Sequence, residues 1–274
     1  MKEYVIRKES GLLNYLINDL HYSRNIAKKI LLESVLVNNK KVTKFDYKLH
    51  PNDTITIKDK GSANLDIIYE DDDFLVINKP SGLLSISSNN ENVKTAYHLA
   101  RLYLNDKHEK VFVLHRIDKD TSGVLAFCKN VKLRDSLQEK WNDIVLFRGY
   151  YAIVSGQMSK KEDRIENYLL KNKYDQVYVS NNRDGQKAIT EYKTIRSNKK
   201  YSLLDVNIET GRKNQIRATL SSLGNPIVGD KNYNGEKNTR LFLHAYSLVF
   251  KNPVNNKTYE FKAEMPKTFN NLIK

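Results

Sequence analysis

The sequence predicts an α+β protein in two parts, a small N-terminal module and a larger domain built on a mixed sheet. With 274 residues, the chain is long enough for one large domain and one small one. A polar stretch with Gly and Ser at residues 58–64 separates two regions of periodic sequence. Beyond it, strand-like runs dominate and helices interrupt them irregularly, which favours a mixed sheet over a doubly wound one.

The chain is strongly basic. Lys and Arg number 46 against 32 Asp and Glu, which gives a formal net charge of +14 at pH 7. Both parts share this excess, since residues 1–60 hold 12 Lys and Arg against 7 Asp and Glu. Such an excess indicates a polyanionic partner, because cationic side chains that neutralise phosphates release counterions. A generally Lys-rich composition is the alternative.

The single cysteine and the N-terminus favour a cytoplasmic protein. Cys128 has no partner for a disulfide, and it lies in an apolar run where we expect a small core residue. Residues 1–4 have no apolar leader segment, and no stretch approaches the length of a membrane span. We therefore expect no membrane association and a reducing cytoplasm.

Two helices are predicted near the N-terminus. Apolar side chains recur at helical spacing over residues 12–20, and Ser23 is a suitable N-cap for a second helix. The outward side of that second helix carries Arg24, Lys28 and Lys29. A solvated basic face would explain these cations without any partner.

A hairpin turn at 38–41 and a strand at 54–57 complete this module. Together with residues 23–25, 35–38 and 49–53, it resembles the RNA-binding domain named after ribosomal protein S-four. The resemblance implies that Arg24 and Lys28 contact RNA. We assign the S-four-type domain to residues 1–58, a linker to 59–65 and the larger domain to 66–274.

The larger domain reads as short strands and helices. We expect two strands at 67–69 and 74–77 around a solvated acidic turn, and a helix over 95–104. Asn130 can cap a further helix. Residues 157–186 are polar, and we expect loops there with one or two short strands.

The most informative stretch is His-Arg-Ile-Asp at 115–118, followed by Thr-Ser-Gly at 121–123 and an apolar run at 124–127. This pattern predicts charged groups at the mouth of a buried strand, with Gly123 where a Cβ would clash. Rigid placement of this kind suits catalytic side chains. A surface turn with a solvated ion pair is the alternative.

The sequence lacks the residue patterns that several kinds of catalytic site need. The six His are scattered, no Gly-rich phosphate loop occurs, and Ser122 lacks the preceding glycine of a hydrolase elbow. What remains is Asp118 among cations, with Tyr150, Tyr151, Arg212 and Arg217. A carboxylate nucleophile suits attack on a sugar or an activated base. We expect no metal and no cofactor.

Four motifs in order resemble the RluA family of pseudouridine synthases. They are Asn-Lys-Pro-Ser-Gly at 78–82, the central motif at 115–123, Thr-Gly-Arg with Gln-Ile-Arg at 210–217, and Pro-Ile-Val-Gly-Asp at 226–230 with Leu-His-Ala at 243–245. The resemblance spans about residues 66–262. It implies the pseudouridine synthase fold, with a central mixed, largely antiparallel sheet. It also implies that uridine in RNA is isomerised by breaking the glycosidic bond and rejoining the base through carbon five.

The resemblance also assigns roles. Asp118 matches the family nucleophile, Tyr150 the tyrosine that stacks on the target base, and Arg217 the basic residue that pairs with the catalytic Asp and would keep it ionised. Tyr151, the next strand residue, should face the core. Whether Asp118 attacks the ribose, attacks the base or abstracts a ribose proton stays open.

Further residues are implied at the substrate. Arg116 would enter the RNA stack where the flipped uridine leaves it. For Arg212, phosphate contact and structural pairing are both open, and His115 is a substrate neighbour or a structural residue. Lys79 and Thr121 complete the implied substrate-binding set.

The sequence departs from the family pattern at two places. Lys213-Asn214 replaces a usual Thr-His pair, and Asn225 replaces a His. Both changes put local packing and RNA preference in doubt.

Two rival functions and the substrate stay open. A non-catalytic RNA-binding or ribosome-assembly factor would keep the fold, and a carboxylate-dependent nucleosidase would release free uracil. For a synthase, we expect large-subunit ribosomal RNA as the substrate, with tRNA as the alternative, and we expect a monomer.

Overall fold

The computed structural model describes residues 2–22, 24–57, 65–87, 94–105, 107–180 and 182–274. The chain divides into two compact units, Met1–Asn64 and Leu65–Lys274. Ser23 and residues 58–64 lie outside the described residues, and with them the expected N-cap and most of the expected linker. No helix in the described ranges is long and apolar enough to cross a membrane.

The N-terminal unit is a small α/β module with its own core. Its elements are β1 (Lys2–Val5), β2 (Ser10–Gly11), α1 (Leu12–Asn14), a π-helical turn (Tyr15–Asp19), α2 (Arg24–Ser34), β3 (Val35–Val37), β4 (Lys40–Lys41), β5 (Lys48–Leu49) and β6 (Thr54–Ile57). Four strands form a sheet in the order β1-β6-β3-β4, and β2 pairs with β5. Leu12, Leu16 and Leu31 are fully buried beneath the sheet residues.

The hairpin between β3 and β4 follows from its sequence. Asn38 and Asn39 both have positive φ angles, 48° and 63°, which is the conformation of the tight turns that join antiparallel strands. The Asn38 side chain also donates to Asp53 Oδ1 at 2.7 Å, which ties this turn to the one before β6. The predicted turn at 38–41 is therefore present.

In its described residues, the larger unit contains one sheet of eleven strands with helices around it. Its strands are β7 (Ile67–Glu70), β8 (Phe74–Lys79), β9 (Phe112–Val113), β10 (Ser122–Cys128), β11 (Val145–Ser155), β12 (Glu162–Lys171), β13 (Val177–Ser180), β14 (Gln186–Ser197), β15 (Tyr201–Ile208), β16 (Leu243–Lys251) and β17 (Thr258–Lys262). Its helices are α3 (Ala96–Asn105), α4 (Val131–Glu139), α5 (Trp141–Ile144), α6 (Gln215–Ser222) and α7 (Lys267–Leu272).

The strand order confirms a mixed, largely antiparallel sheet. It runs β13-β12-β14-β15-β11-β16-β10-β8-β7, with β17 on β16 and β9 on β10. Among the described strands of this sheet, β10 and β16 are paired in parallel and the other pairs are antiparallel. The unit is therefore α+β, as predicted.

Gly123 is where β10 meets β16. Its φ of +113° is a conformation that residues with a side chain rarely adopt, and a Cβ there would lie 2.0 Å from the carbonyl oxygen of Ala245. All seven residues of β10 are buried. The apolar run after the central motif is thus a core strand that gives the motif a rigid base.

One expectation about this unit was wrong in part. Residues 157–186 were expected to be loops with one or two short strands, but they contain the ten-residue β12 and the four-residue β13. These two strands pair with each other, and β14 pairs with the other edge of β12. The two strands expected around the acidic turn are present, and carboxylates of this turn are hydrogen-bonded. Asp71 accepts the backbone N–H of Phe74 at 2.7 Å, and Glu70 accepts from Lys107 and Lys129, both at 2.8 Å.

Candidate active site

The loop that carries Asp118 runs between β9 and β10, and a second loop after β8 fixes its backbone. Ser81 Oγ donates to the carbonyl of Asp120 at 2.6 Å, and Ser85 Oγ donates to the carbonyl of Ile117 at 2.7 Å. The N–H of Gly82 donates to the carbonyl of Lys119 at 3.0 Å. Carbonyls on both sides of Asp118 are therefore fixed, so the carboxylate is presented from a rigid loop.

Lys79 belongs to this supporting framework and not to an RNA-facing surface. Its side chain is fully buried, and its ammonium group donates to the carbonyls of Pro80, Leu83 and Lys119 at 2.7–3.0 Å. An ammonium group has three hydrogens, so none is left for a phosphate. Burial lowers the pKa of Lys79 to about 7. The expected substrate contact is corrected to a structural one.

Asp118 opens into a cavity of about 470 Å³. The polar and charged side chains that line it are those of His115, Arg116, Asp118, Thr121, Asn142, Arg148, Tyr150, Arg212, Lys213, Asn214, Gln215 and Arg217. Among the residues that the structure describes, Asp118 is the only carboxylate in this lining, beside five Arg and Lys side chains. The cavity is thus suited to a polyanionic substrate.

Arg217 reaches Asp118, but its main partner is Asp230. Its Nε and Nη2 donate to the two carboxylate oxygens of Asp230 at 2.7 and 2.8 Å, whereas its Nη1 lies 3.7 Å from Asp118 Oδ2. The Asp230 side chain is fully buried. The guanidinium is therefore oriented by Asp230 and presents one edge to Asp118.

Arg217 favours the ionised form of Asp118, but burial of the carboxyl acts more strongly in the opposite direction. Burial raises the pKa of the Asp118 carboxyl above its ordinary value, and the attractions of Arg217, Arg116 and Lys79 oppose that rise without cancelling it. About a quarter of the side chain is exposed, towards the cavity. A desolvated carboxylate of this kind is more basic and more nucleophilic than one in water.

Tyr150 lines the cavity and Tyr151 faces away from it, as alternate residues of a strand should. Burial raises the pKa of Tyr150 to about 12, so its hydroxyl is protonated at neutral pH. Tyr151 is half-buried and stacks on Tyr246 with ring centroids 4.1 Å apart. It is packed on the far side of the sheet, as expected.

His115 and Thr121 are held by the protein itself. The His115 ring stacks on Trp141 at 5.5 Å, and its Nε2 accepts the backbone N–H of Ala126 at 3.1 Å. Burial lowers the pKa of His115 to about 3, so the ring is neutral. Thr121 is buried at the cavity wall, with its N–H bonded to the carbonyl of Asp118 at 3.2 Å.

The loop before α6 places Arg212 at the cavity. Gln215 holds this loop: its Oε1 accepts from Thr210 Oγ1 and from the N–H of Arg212, and its Nε2 donates to the carbonyl of Ile189 at 2.9 Å. The Arg212 side chain is exposed and donates to the carbonyl of Lys187 at 3.1 Å. Arg116 also lines the cavity and is exposed as well.

Both departures from the family pattern have a structural explanation. Asn214 adopts a positive φ of 52° before α6, a conformation that Asn tolerates, and its Oδ1 accepts from Arg217 Nη1 at 3.0 Å. Asn225 donates to the carbonyls of Ser155 and Gln157 at 3.0 and 3.2 Å. Each Asn therefore fills a hydrogen-bonding role in the frame of the site.

Sequence reasoning did not single out Arg148 or Asp230 as members of the site. Arg148 lies two residues before Tyr150 on β11, and a shift in strand register next to Tyr150 accompanies the placement of both side chains in the cavity. Asp230 ends the Pro-Ile-Val-Gly-Asp motif. Its position in that motif was the available signal, but its pairing with Arg217 is visible only in three dimensions.

Arg24 and Lys28 belong to the other unit. Both side chains are exposed on α2, and the Lys28 ammonium lies 5.9 Å from the ring centroid of Phe45. Lys28 is therefore available to an anionic partner. A solvated basic helix face without any partner would be exposed in the same way.

Comparisons with known proteins identify the family. Residues 73–222 match the family model described as RNA pseudouridylate synthase. Ribosomal large subunit pseudouridine synthase D of Borreliella burgdorferi is 32% identical over 295 residues, covering 98% of this chain and 90% of that protein. The tRNA pseudouridine synthase C of Vibrio parahaemolyticus is 30% identical over 235 residues, covering 77% of this chain and 94% of that one.

The fold matches as well. The solved structure of human RNA pseudouridylate synthase domain containing 4 superposes with a TM-score of 0.62 at 21% identity, covering 74% of this chain and 89% of that one. The larger unit thus has the pseudouridine synthase fold, as the four motifs implied. The chain belongs to the RNA pseudouridylate synthase family, whose members are isomerases.

Proposed function

We propose that this chain isomerises specific uridines of large-subunit ribosomal RNA, with Asp118 as the nucleophile. The observation that carries the proposal is that, among the described residues, Asp118 is the single carboxylate in a cavity whose other charged side chains are five Arg and Lys. A uridine paired or stacked inside RNA cannot reach such a cavity, so the base must flip out of the stack. The exposed Arg116 beside Asp118 is suited to fill the space that the uridine leaves.

Each route open to Asp118 needs the ionised carboxylate. Attack on the ribose, attack on the base and abstraction of a ribose proton all begin with an electron pair on a carboxylate oxygen. Arg217 stabilises that charge at 3.7 Å, and because Asp230 orients it, the stabilisation requires no rearrangement during the reaction. The raised pKa of Asp118 also makes its carboxylate a better base and nucleophile than a carboxylate in water.

Tyr150 is proposed to stack on the flipped uracil. Its ring lines the cavity, and its hydroxyl is protonated at neutral pH because its pKa is about 12. A protonated hydroxyl can donate a hydrogen bond to the base but is a poor proton acceptor. We therefore assign stacking and hydrogen-bond donation to Tyr150, and Tyr150→Phe should keep the first and lose the second.

The N-terminal unit is proposed as an S-four-type RNA-binding domain that uses Arg24 and Lys28. It supports ribosomal RNA over tRNA, because the match to the Borreliella large-subunit synthase covers 98% of the chain and so includes nearly all of this unit. The match to the Vibrio tRNA synthase covers 77%. We also propose that the enzyme acts in the cytoplasm, where such RNA is found, and as a monomer, which light scattering can test.

Mapping pseudouridine in cells tests the substrate. A strain without the gene is complemented with wild type or Asp118→Asn, and ribosomal RNA and tRNA are mapped in parallel. We expect sites in large-subunit RNA that return with wild type alone. Sites that return only in tRNA would support the alternative substrate, and no returning site would overturn the proposal.

The salt dependence of RNA affinity tests the role of Arg24 and Lys28. Each phosphate contact contributes about 0.7–0.9 to the slope of log affinity against log salt. The double variant Arg24→Gln/Lys28→Gln should therefore reduce that slope by about 1.4–1.8. Lys160→Gln/Lys262→Gln, which removes two surface lysines already paired with Asp163 and Glu260, is the control of equal charge. Equal slopes for the two variants would contradict the RNA-binding role.

A further inference from the structure

Four of the five cations of the cavity fall into two groups by their partners, and the fifth, Arg116, is exposed. The charge of Arg217 is balanced by Asp230, and that of Lys213 by Asp175. Arg148 and Arg212 have main-chain partners instead. Arg148 Nη2 donates to the carbonyl of Glu209 at 2.5 Å, and Arg212 Nε donates to the carbonyl of Lys187 at 3.1 Å. Within the described ranges, no carboxylate lies within ion-pair distance of either guanidinium.

Arg148 is unusual because it is buried without a counter-ion. The residue is 8% exposed and lines the cavity beside Tyr150. Burial lowers the pKa of Arg148, and the nearby charge of Arg212 lowers it further. An unpaired buried charge is costly, so positions of this kind are kept where a ligand supplies the opposite charge.

Gly211 lies against the Arg148 guanidinium and leaves room for it. A Cβ on Gly211 would lie 2.7 Å from Arg148 Nη1, closer than nonbonded atoms approach. The φ of Gly211 is not in the left-handed region, so its conformation does not require glycine. A Cβ at position 211 would therefore push the end of the flexible Arg148 side chain away from its place between the 209–212 loop and the cavity.

We propose that Arg148 and Arg212 form an anion subsite that binds a backbone phosphate next to the target uridine. This rests on the proposed function and adds to it the contact that fixes the flipped nucleotide by its phosphate. Each guanidinium keeps N–H donors beyond the one bonded to a carbonyl, and such donors bind phosphate oxygens. A phosphate between them would also remove the repulsion of two unpaired cations.

Steady-state kinetics on RNA extracted from the deletion strain test the subsite. A phosphate contact made equally in the bound substrate and the transition state affects KM and not kcat. Arg148→Met should therefore raise KM about tenfold, with kcat within about twofold of wild type. Arg148→Lys keeps the charge but loses the planar fork, so its KM should lie between those of Arg148→Met and wild type. A fall in kcat at unchanged KM would instead place Arg148 at the reacting base and overturn the subsite.

The salt dependence separates a phosphate contact from a packing role. The slope of log kcat/KM against log salt should be smaller by about 0.7–0.9 in Arg148→Met. Arg164→Met is the matched control, because Arg164 bears the same charge and pairs with the Glu209 side chain but lines a separate groove. An equal loss of slope in both variants would mean a general field effect and would contradict the subsite.

Gly211 provides an independent test. Gly211→Ala should displace the guanidinium and raise KM much as Arg148→Met does. In the Arg148→Met background the same substitution should add little, because Nη1 is absent and the two changes act on one contact. Additive effects would show that Gly211 and Arg148 act separately, against the proposal.

The outcomes distinguish the subsite from the function on which it rests. If wild type forms no pseudouridine in this RNA, the proposed function fails and the subsite fails with it. If wild type forms pseudouridine while Arg148→Met leaves both KM and the salt slope unchanged, the subsite alone is wrong. Thermal melting of every variant shows whether a fall in apparent kcat reflects loss of folded enzyme, which would leave KM unchanged.

Discussion

Arg217 and Asp230 form a buried ion pair with two hydrogen bonds, at 2.7 and 2.8 Å, directly beside the proposed nucleophile. Asp230 also accepts the backbone N–H groups of Asn232 and Tyr233, so its carboxylate is saturated. The pair does two things at once: it closes the 226–233 loop onto α6, and it aims one edge of the guanidinium at Asp118. In the proposed function, stability and catalysis are therefore coupled through a single side chain.

Removing the charge of Asp230 should unfold the protein more easily. Asp230→Asn leaves the buried guanidinium without its counter-ion, and we expect a loss of about 2–4 kcal/mol in the free energy of unfolding. Asp175→Asn removes a carboxylate that is 63% exposed, and should cost at most about 1 kcal/mol. Urea denaturation measures both, and similar losses would contradict the structural role given to Asp230.

Asp118 should destabilise the fold at neutral pH. Its pKa is raised in the folded protein, mainly by burial, so the folded state binds the proton more tightly than the unfolded state does. Ionisation therefore carries a cost that is fully present above the raised pKa and disappears as the pH falls towards the ordinary value of 3.8. Asp118→Asn should be more stable than wild type at pH 7, with the difference shrinking towards pH 4. A variant less stable than wild type at pH 7 would indicate that folding lowers the pKa of Asp118, which would contradict this prediction.

Lys79 should also make the stability depend on pH, but in the alkaline range and with the opposite sign to Asp118. Its pKa falls from 10.5 to about 7 on folding, so between these values the unfolded state holds a proton that the folded state has lost. The stability of wild type should then rise with pH by up to about 1.4 kcal/mol per unit relative to Lys79→Met. Urea denaturation of both proteins at pH 7, 8 and 9 measures this difference. A gap that stays constant with pH would mean that Lys79 is charged in the folded state.

Gly123 and Gly82 separate steric from conformational effects. Both have positive φ, +113° and +86°, but a Cβ on Gly123 would lie 2.0 Å from the Ala245 carbonyl oxygen, whereas a Cβ on Gly82 has no atom within 4 Å. Gly82→Ala should cost about 1–2 kcal/mol of backbone strain. Gly123→Ala should cost more than about 4 kcal/mol because β10 and β16 must separate. Equal losses in urea denaturation would contradict this account of the parallel pair.

Features fixed by local sequence could be predicted. The apolar run of β10 and the need for glycine at position 123 follow from hydrophobicity and backbone geometry. Asn130 caps α4 as predicted, because its side-chain oxygen accepts the N–H of Lys132 at 2.9 Å and that of Leu133 at 3.3 Å. These features depend on residues close together in the chain.

Features that depend on distant partners could not be predicted. In β12, charged residues such as Glu162 and Arg164 alternate with only half-buried ones, so the apolar period that marks a strand is weak. The pairing of Arg217 joins two motifs that are separate in sequence. The family motif placed Lys79 at the substrate, but the three carbonyls that bind it come together only in the folded loops.

Tritium release measures the central claim most directly. Joining uracil to ribose through carbon five displaces the hydrogen on that carbon, so RNA labelled there with tritium should release label to water as pseudouridine forms. We predict release by wild type and by Asp120→Asn, a loss of the same charge two residues away, and at least about a thousandfold slower release by Asp118→Asn at unchanged RNA affinity. Release by Asp118→Asn at the wild-type rate would contradict the assignment of the nucleophile, and free labelled uracil would indicate a nucleosidase instead.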